Sequence, residues 1–128
     1  MRLQQAFDRL ISLQPLWRAL FCFSLMTITW LGFTIEPYPI PSAASDKINH
    51  MLAFLVLAML ARLGWPMIGH TVPLVVLAGY GMALELGQTL TPWRQFSLFD
   101  VLADVTGILA GFALLALILK VTGARLES

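Results

Sequence analysis

The stretch VLADVTGILAGFALLALILKV, residues 101–121, holds one acid near its start, Asp104, and one base near its end, Lys120. As a helix of roughly 20 residues it is long enough to cross about 30 Å of hydrocarbon. Three further apolar stretches precede it, at about 16–35, 48–64 and 70–90. With 59% hydrophobic and 12% charged residues and a mean hydropathy of +0.81, the chain departs far from the soluble average of about 25% charged residues. The expectation is an all-α fold, an integral membrane four-helix bundle. The second stretch is short and starts on polar residues, Asp46 to Trp65 being a bare crossing, so a re-entrant segment there is the lesser alternative.

Residues 1–14 read differently. Leu3, Phe7, Leu10 and Ile11 recur at helical spacing on one face, with Arg2, Gln5 and Arg9 elsewhere, until Pro15 interrupts the pattern. A short amphipathic helix lying in the membrane interface is expected there, ahead of a single domain over 15–128. A cleaved secretory leader is disfavoured, because the apolar run that follows exceeds the roughly 7–15 residues of a leader core. Between the first two spans Pro37, Pro39 and Pro41 forbid regular helix and imply an extended strap, after which Ser45 or Asp46 can cap the next helix. Cys22 is the single cysteine, so an intrachain disulfide is excluded.

Four crossings put both termini on one side. That side then holds Arg2, Arg9, Arg18, Arg62, Lys120 and Arg125, against Lys47 and Arg94 on the other, a count of six to two among the 8 basic residues. An excess of this kind marks the cytoplasmic face, which gives a multi-pass protein of the inner (plasma) membrane with cytoplasmic N- and C-termini. Trp17 and Trp65 become anchors at the cytoplasmic interface and Trp93 at the outer one. A net charge of +1 offers no basic surface for nucleic acid.

The same alternation of helices gathers the ionisable residues. Asp46, Lys47 and His50 open the second span, Glu85 and Gln88 close the third, Arg94 follows in the turn, and Asp100 and Asp104 open the fourth. The pairs Asp46/His50, Glu85/Gln88 and Asp100/Asp104 are three or four residues apart, so each projects from one face of its helix. Since a charge at the centre of the bilayer costs roughly 3 kcal/mol on insertion scales, these stripes are expected to face one another in a pocket one to two turns below the outer surface. Tyr80 is expected to line its floor.

The residues that form this cluster resemble the VanZ-like family of small membrane proteins. Asp46-Lys47-Ile48-Asn49-His50 followed by Ala53-Phe54 is similar to that family's Asp-Lys-x-x-His helix start. Tyr80-Gly81 with Glu85 and Gln88 resembles its Tyr-Gly, Glu and Gln helix, and Arg94-Gln95-Phe96-Ser97 leading to Asp100 and Gly107 resembles its Arg-x-Phe-Ser and Asp segment. The resemblance covers about residues 46–111. One position departs from it: the family usually has Asn where this chain has Asp104. The resemblance implies a multi-helix membrane protein with an envelope-related role. Its founding members are linked to resistance to the glycopeptide teicoplanin, a trait not carried over to this chain.

Three kinds of function are compatible with these residues. The favoured expectation is a module that binds a lipid headgroup, an envelope precursor or a partner membrane protein through Asp46, Lys47, His50, Tyr80, Glu85, Gln88, Arg94, Asp100 and Asp104. The alternative is a membrane enzyme acting on an amphiphilic substrate, with Glu85 or Asp104 as general base, His50 as proton carrier, and Lys47 and Arg94 clamping an anionic group. Ser97 carries the only aliphatic hydroxyl within the motifs and is read as a helix cap. A carrier is ranked last, since no inverted repeat is visible. The bland reading is a purely structural ion-pair network holding three helices in register. No cofactor and no metal is expected: His50, Glu85, Asp100 and Asp104 offer ligands of the right kinds, but no His-Glu-x-x-His, paired cysteines or calcium loop is present. Gly107 and Gly111 form a Gly-x-x-x-Gly spacing read as a helix-packing face, with self-association as its other use.

Overall fold

The computed structural model describes residues 2–33, 43–92 and 95–126, the side chains of 43–46 excepted. The proline strap, Trp93, Arg94 and the side chain of Asp46 lie outside the described residues. Five α-helices follow one another: α1 Arg2–Ile11, α2 Gln14–Gly32, α3 Ala43–Gly64, α4 Thr71–Gln88 and α5 Leu98–Thr122, with a 3-10 turn at Pro66–Ile68 between α3 and α4. No strand occurs among the described residues.

Two helices are long and apolar enough to cross a membrane, α3 over Lys47–Gly64 and α5 over Leu98–Thr122, and a third span results if α1 and α2 are counted together across the 57° bend that separates them. That bend has a local cause. Pro15 stands in the first turn of α2, where its missing N–H is no loss and its ring cannot extend α1. Trp17 Nε1 donates to the Leu10 carbonyl at 3.0 Å and Ser12 Oγ to that of Arg9 at 2.7 Å, which satisfies backbone acceptors freed at the bend. α4, with 18 residues and with Glu85 and Gln88 near its end, is not among these candidate spans.

The boundaries differ from the expected ones at the polar ends. α3 begins at Ala43, so Lys47 and His50 sit inside the helix and not at its mouth. α5 begins at Leu98 because Ser97, in extended conformation, accepts the Asp100 N–H on its hydroxyl and starts the helix there. It ends at Gly123, whose φ of 71° closes the helix in the left-handed conformation that glycine adopts without strain.

The core forms where α3 meets its neighbours. Phe54, Leu57 and Ala58 of α3, Leu77 of α4 and Ile108 of α5 are fully enclosed. A methyl group added at Gly107 would collide with the Met51 carbonyl, and one at Gly111 with the Leu55 carbonyl. The two glycines therefore let α5 lie directly on the backbone of α3.

At the opposite end from the cluster, α1 is strapped under the bundle. Gln4 Nε2 donates to the Gly123 carbonyl at 3.0 Å, and Phe7 and Ile11 pack with Leu63, Leu115 and Ala124. The apolar face of α1 is thus divided: Phe7 and Ile11 turn to the protein, while Leu3 and Leu10 stay 67% and 45% exposed. Arg62 is buried at this end and donates to the carbonyls of Pro66 and Gly69 at 3.0 and 2.8 Å, holding the α3–α4 turn. Arg18 donates to the Gly64 carbonyl at 2.7 Å and lies over the Trp65 ring.

The backbone contact gives a matched test. Gly107→Ala should lower the unfolding midpoint in detergent by the equivalent of about 1–3 kcal/mol, the usual cost of overpacking. Gly79→Ala, at a position with nothing within 4 Å, should be neutral or gain up to about 1 kcal/mol from helix propensity. Equal midpoints for the two variants would remove the claim that α5 needs its glycine face.

Candidate functional site

Three helices bring their polar residues together at one end of the bundle. α3 contributes Lys47 and His50, α4 contributes Glu85, and α5 contributes Asp100 and Asp104. His50 is the hub: its Nδ1 lies 2.9 Å from Asp104 Oδ1 and its Nε2 lies 3.9 Å from Glu85 Oε1. With Asp104 ionised, Nδ1 donates the proton in the shorter contact. Glu85 and Asp104 are each only 1% exposed, so both carboxylates are removed from solvent.

Each carboxylate is aimed by its surroundings. Glu85 Oε2 accepts the Ser97 backbone N–H at 3.3 Å, which ties the end of α4 to the start of α5. The same serine accepts the Asp100 N–H on its hydroxyl at 3.3 Å, the cap that starts α5. Asp104 fits against α4 because residue 81 is glycine: a methyl group there would come within 2.6 Å of Asp104 Oδ2. Asp100 Oδ1 is 3.6 Å from Lys47 Nζ, and the lysine side chain is 40% exposed at the rim.

Not every residue expected in the cluster points into it. The Tyr80 hydroxyl lies 2.6 Å from Thr29 Oγ1 and also donates to the Leu25 carbonyl at 3.4 Å, so it is spent on α2. Its ring packs against Phe54 at 5.9 Å between centroids. Gln88 Nε2 donates to the Gly32 carbonyl at 2.9 Å, again toward α2. These two residues fasten α2 to α4 instead of lining the floor of a pocket. Arg94 and the Asp46 side chain lie outside the described residues. His70, at the far end, meets Phe112 edge to face at 5.0 Å.

Two groups escaped the sequence reading. Gly81 is a seat for Asp104, signalled in the sequence only by its place beside Tyr80. Arg62 counted there only as a basic residue, whereas its guanidinium is a buried tie for the turn. Among the described residues, one nitrogen of His50 and one oxygen each of Glu85 and Asp100 lie within 4.8 Å of one another, a spacing from which a cation could be held. Glu85 Oε1 and Asp100 Oδ1 are buried without a hydrogen-bond partner among the described residues. Comparison with protein-family models, curated proteins and solved structures gives no match.

Coupling within the hub is measurable without knowing any ligand. His50→Gln and Asp104→Asn should each destabilise the protein in detergent, and the double variant should fall short of their sum by about 1–3 kcal/mol, as for residues in direct contact. His50→Gln combined with Arg62→Gln, at opposite ends of α3, should be additive. Additivity of the first pair would mean that the imidazole and the carboxylate do not act together.

Proposed function

We propose that this is a VanZ-like protein of the inner (plasma) membrane that binds the headgroup of an envelope- or lipid-derived amphiphile at its polar cluster. In this reading α2, α3, α4 and α5 all cross the membrane, α1 lies in the cytoplasmic interface, both termini are cytoplasmic, and the cluster faces outward. The observation that carries it is the hub itself: an imidazole between two fully buried carboxylates from different helices, with Lys47 half-exposed at the edge. Intramembrane ionisable groups of this cost are retained by default for function.

Supporting features surround it. Leu3 and Leu10 of α1 are exposed beside Arg2 and Arg9, the pattern of a helix lying in a headgroup layer. An apolar cleft of about 320 Å³ between α2 and α3, lined by Phe23, Thr27, Leu52 and Val56 among others, is open to the lipid side and large enough for part of an acyl chain. Lys47 at the rim supplies positive charge for an anionic headgroup, the role that the sequence reading gives to it together with Arg94. The VanZ-like resemblance over about residues 46–111 agrees with an envelope role.

A second reading is favoured by the 2.9 Å contact of His50 with Asp104. A carboxylate on one ring nitrogen orients an imidazole for proton transfer at the other, and Glu85 stands on that other side. The chain would then be a membrane enzyme using general acid–base chemistry on a similar amphiphile.

Mass spectrometry of the protein extracted with its native lipids separates these readings from a structural network. The wild type should carry one class of amphiphile in excess over bulk lipid, and Arg94→Ala and Lys47→Ala should lose it while keeping the wild-type unfolding midpoint. A bulk lipid profile in the wild type would sink both binding and catalysis. For catalysis, Glu85→Gln should retain the amphiphile and cut turnover by about a hundredfold or more.

Topology is tested in the same material. In a Cys22→Ser background, a cysteine at Gln95 should react with an impermeant thiol reagent on intact cells and one at Ser128 should not. Labelling at Ser128 with silence at Gln95 would invert the orientation.

A further inference from the structure

We infer that the chain binds a divalent transition-metal ion of the zinc or manganese class between His50, Glu85 and Asp100, with Asp104 as the residue that positions the imidazole. This goes beyond headgroup binding and does not rest on it. The ligand atoms come from three helices and lie within 4.8 Å of one another. Metal–nitrogen and metal–oxygen bonds of about 2.0–2.2 Å place two ligands of one ion at most roughly 4.4 Å apart. The 3.9 Å between His50 Nε2 and Glu85 Oε1 already meets that limit, and small side-chain rotations bring in the third ligand.

Three features distinguish this arrangement from an acidic patch. Glu85 is 1% exposed, and its Oε1 points to the imidazole without a hydrogen-bond partner among the described residues, while its Oε2 is held by the Ser97 N–H. One oxygen is thus fixed by the backbone and the other is presented. Asp100 Oδ1, in a residue 9% exposed, also has no hydrogen-bond partner among the described residues, its nearest described cation being Lys47 at 3.6 Å. Asp104 takes the Nδ1 side of His50 at 2.9 Å, and Nε2 lies on the side of Glu85 Oε1 at 3.9 Å. A carboxylate behind a ligating histidine fixes its tautomer and raises its basicity, and is the usual support for a metal-bound imidazole.

The donor set selects the ion. Calcium takes six to eight oxygens and magnesium keeps most of its water, so a nitrogen with two carboxylates suits neither well. Imidazole with carboxylates suits zinc and manganese, and no thiolate is near, Cys22 lying exposed on α2. Two carboxylates match the charge of a divalent ion, which offsets the cost of burying both. Three protein ligands leave a coordination position open to water or to an oxygen of a bound headgroup.

The test uses the full chain, purified in detergent without a histidine tag, stripped with chelator and dialysed against zinc or manganese chloride. Elemental analysis should find one ion per chain in the wild type. Glu85→Gln and His50→Gln should lose it with helical content unchanged, Asp104→Asn should weaken it roughly 10–100-fold, and His70→Gln at the far end should leave it intact. X-ray absorption at the metal edge of the wild type should show one imidazole nitrogen, oxygens and no sulfur. That spectrum decides the donor set even if a variant fails to fold. Substoichiometric binding of both ions by the wild type, a folded Glu85→Gln that keeps the ion, or a spectrum with sulfur or without imidazole overturns the site. A chain that holds the ion but copurifies with no amphiphile overturns the headgroup reading and supports this one.

Discussion

Where Gly107 and Gly111 of α5 face the carbonyls of Met51 and Leu55 on α3, two backbones touch with no side chain between them. That closeness sets the distance from which Asp104, almost one turn before Gly107, reaches His50 on the facing helix. With larger residues at those positions α5 would stand off, and a 2.9 Å contact could not form without a longer side chain. Gly81 repeats the device on α4, giving Asp104 room against that backbone. Small residues at three positions therefore hold one carboxylate between two helices.

Ionisable groups in the bundle gather at its two ends, with apolar packing by Phe54, Leu57, Leu77 and Ile108 between them. At one end Arg62 spends its guanidinium on the carbonyls of a turn. At the other, carboxylates surround a histidine. The first set closes a loop through Nη1 of Arg62, whose Nε is buried without a hydrogen-bond partner among the described residues. The second keeps oxygens of Glu85 and Asp100 without hydrogen-bond partners among the described residues, and it is the gathering of these carboxylates with one imidazole nitrogen within 4.8 Å that makes this end the functional candidate.

Much of this was legible in the sequence because apolar runs and helical spacing are local signals. The positions of α2 to α5 followed from hydropathy, α1 from its one-sided pattern, and the gathering of Lys47, His50, Glu85, Asp100 and Asp104 from the alternation of helix directions. The directions of Tyr80 and Gln88 were not legible: both lie on the helix that carries Glu85, but their partners, Thr29 and the Gly32 carbonyl, belong to a helix whose rotation no spacing encodes. The division of the α1 face had the same cause. Residues 50, 85 and 100 come from three helices, so no short motif joins them, and their proximity emerges only when the helices are packed.

The attachment of α2 has its own consequence. Arg18 to Gly64, Thr29 to Tyr80 and Gly32 to Gln88 are polar fastenings spread from its first turns to its last, while the sealed core lies chiefly among α3, α4 and α5. α2 therefore behaves as a panel riveted to a frame. Its outward residues, Phe23, Met26 and Trp30 among them, are exposed and free to diverge while the frame and its buried carboxylates keep their shape. Whatever surface the outer face of α2 meets, a change in that surface can be matched through the panel alone.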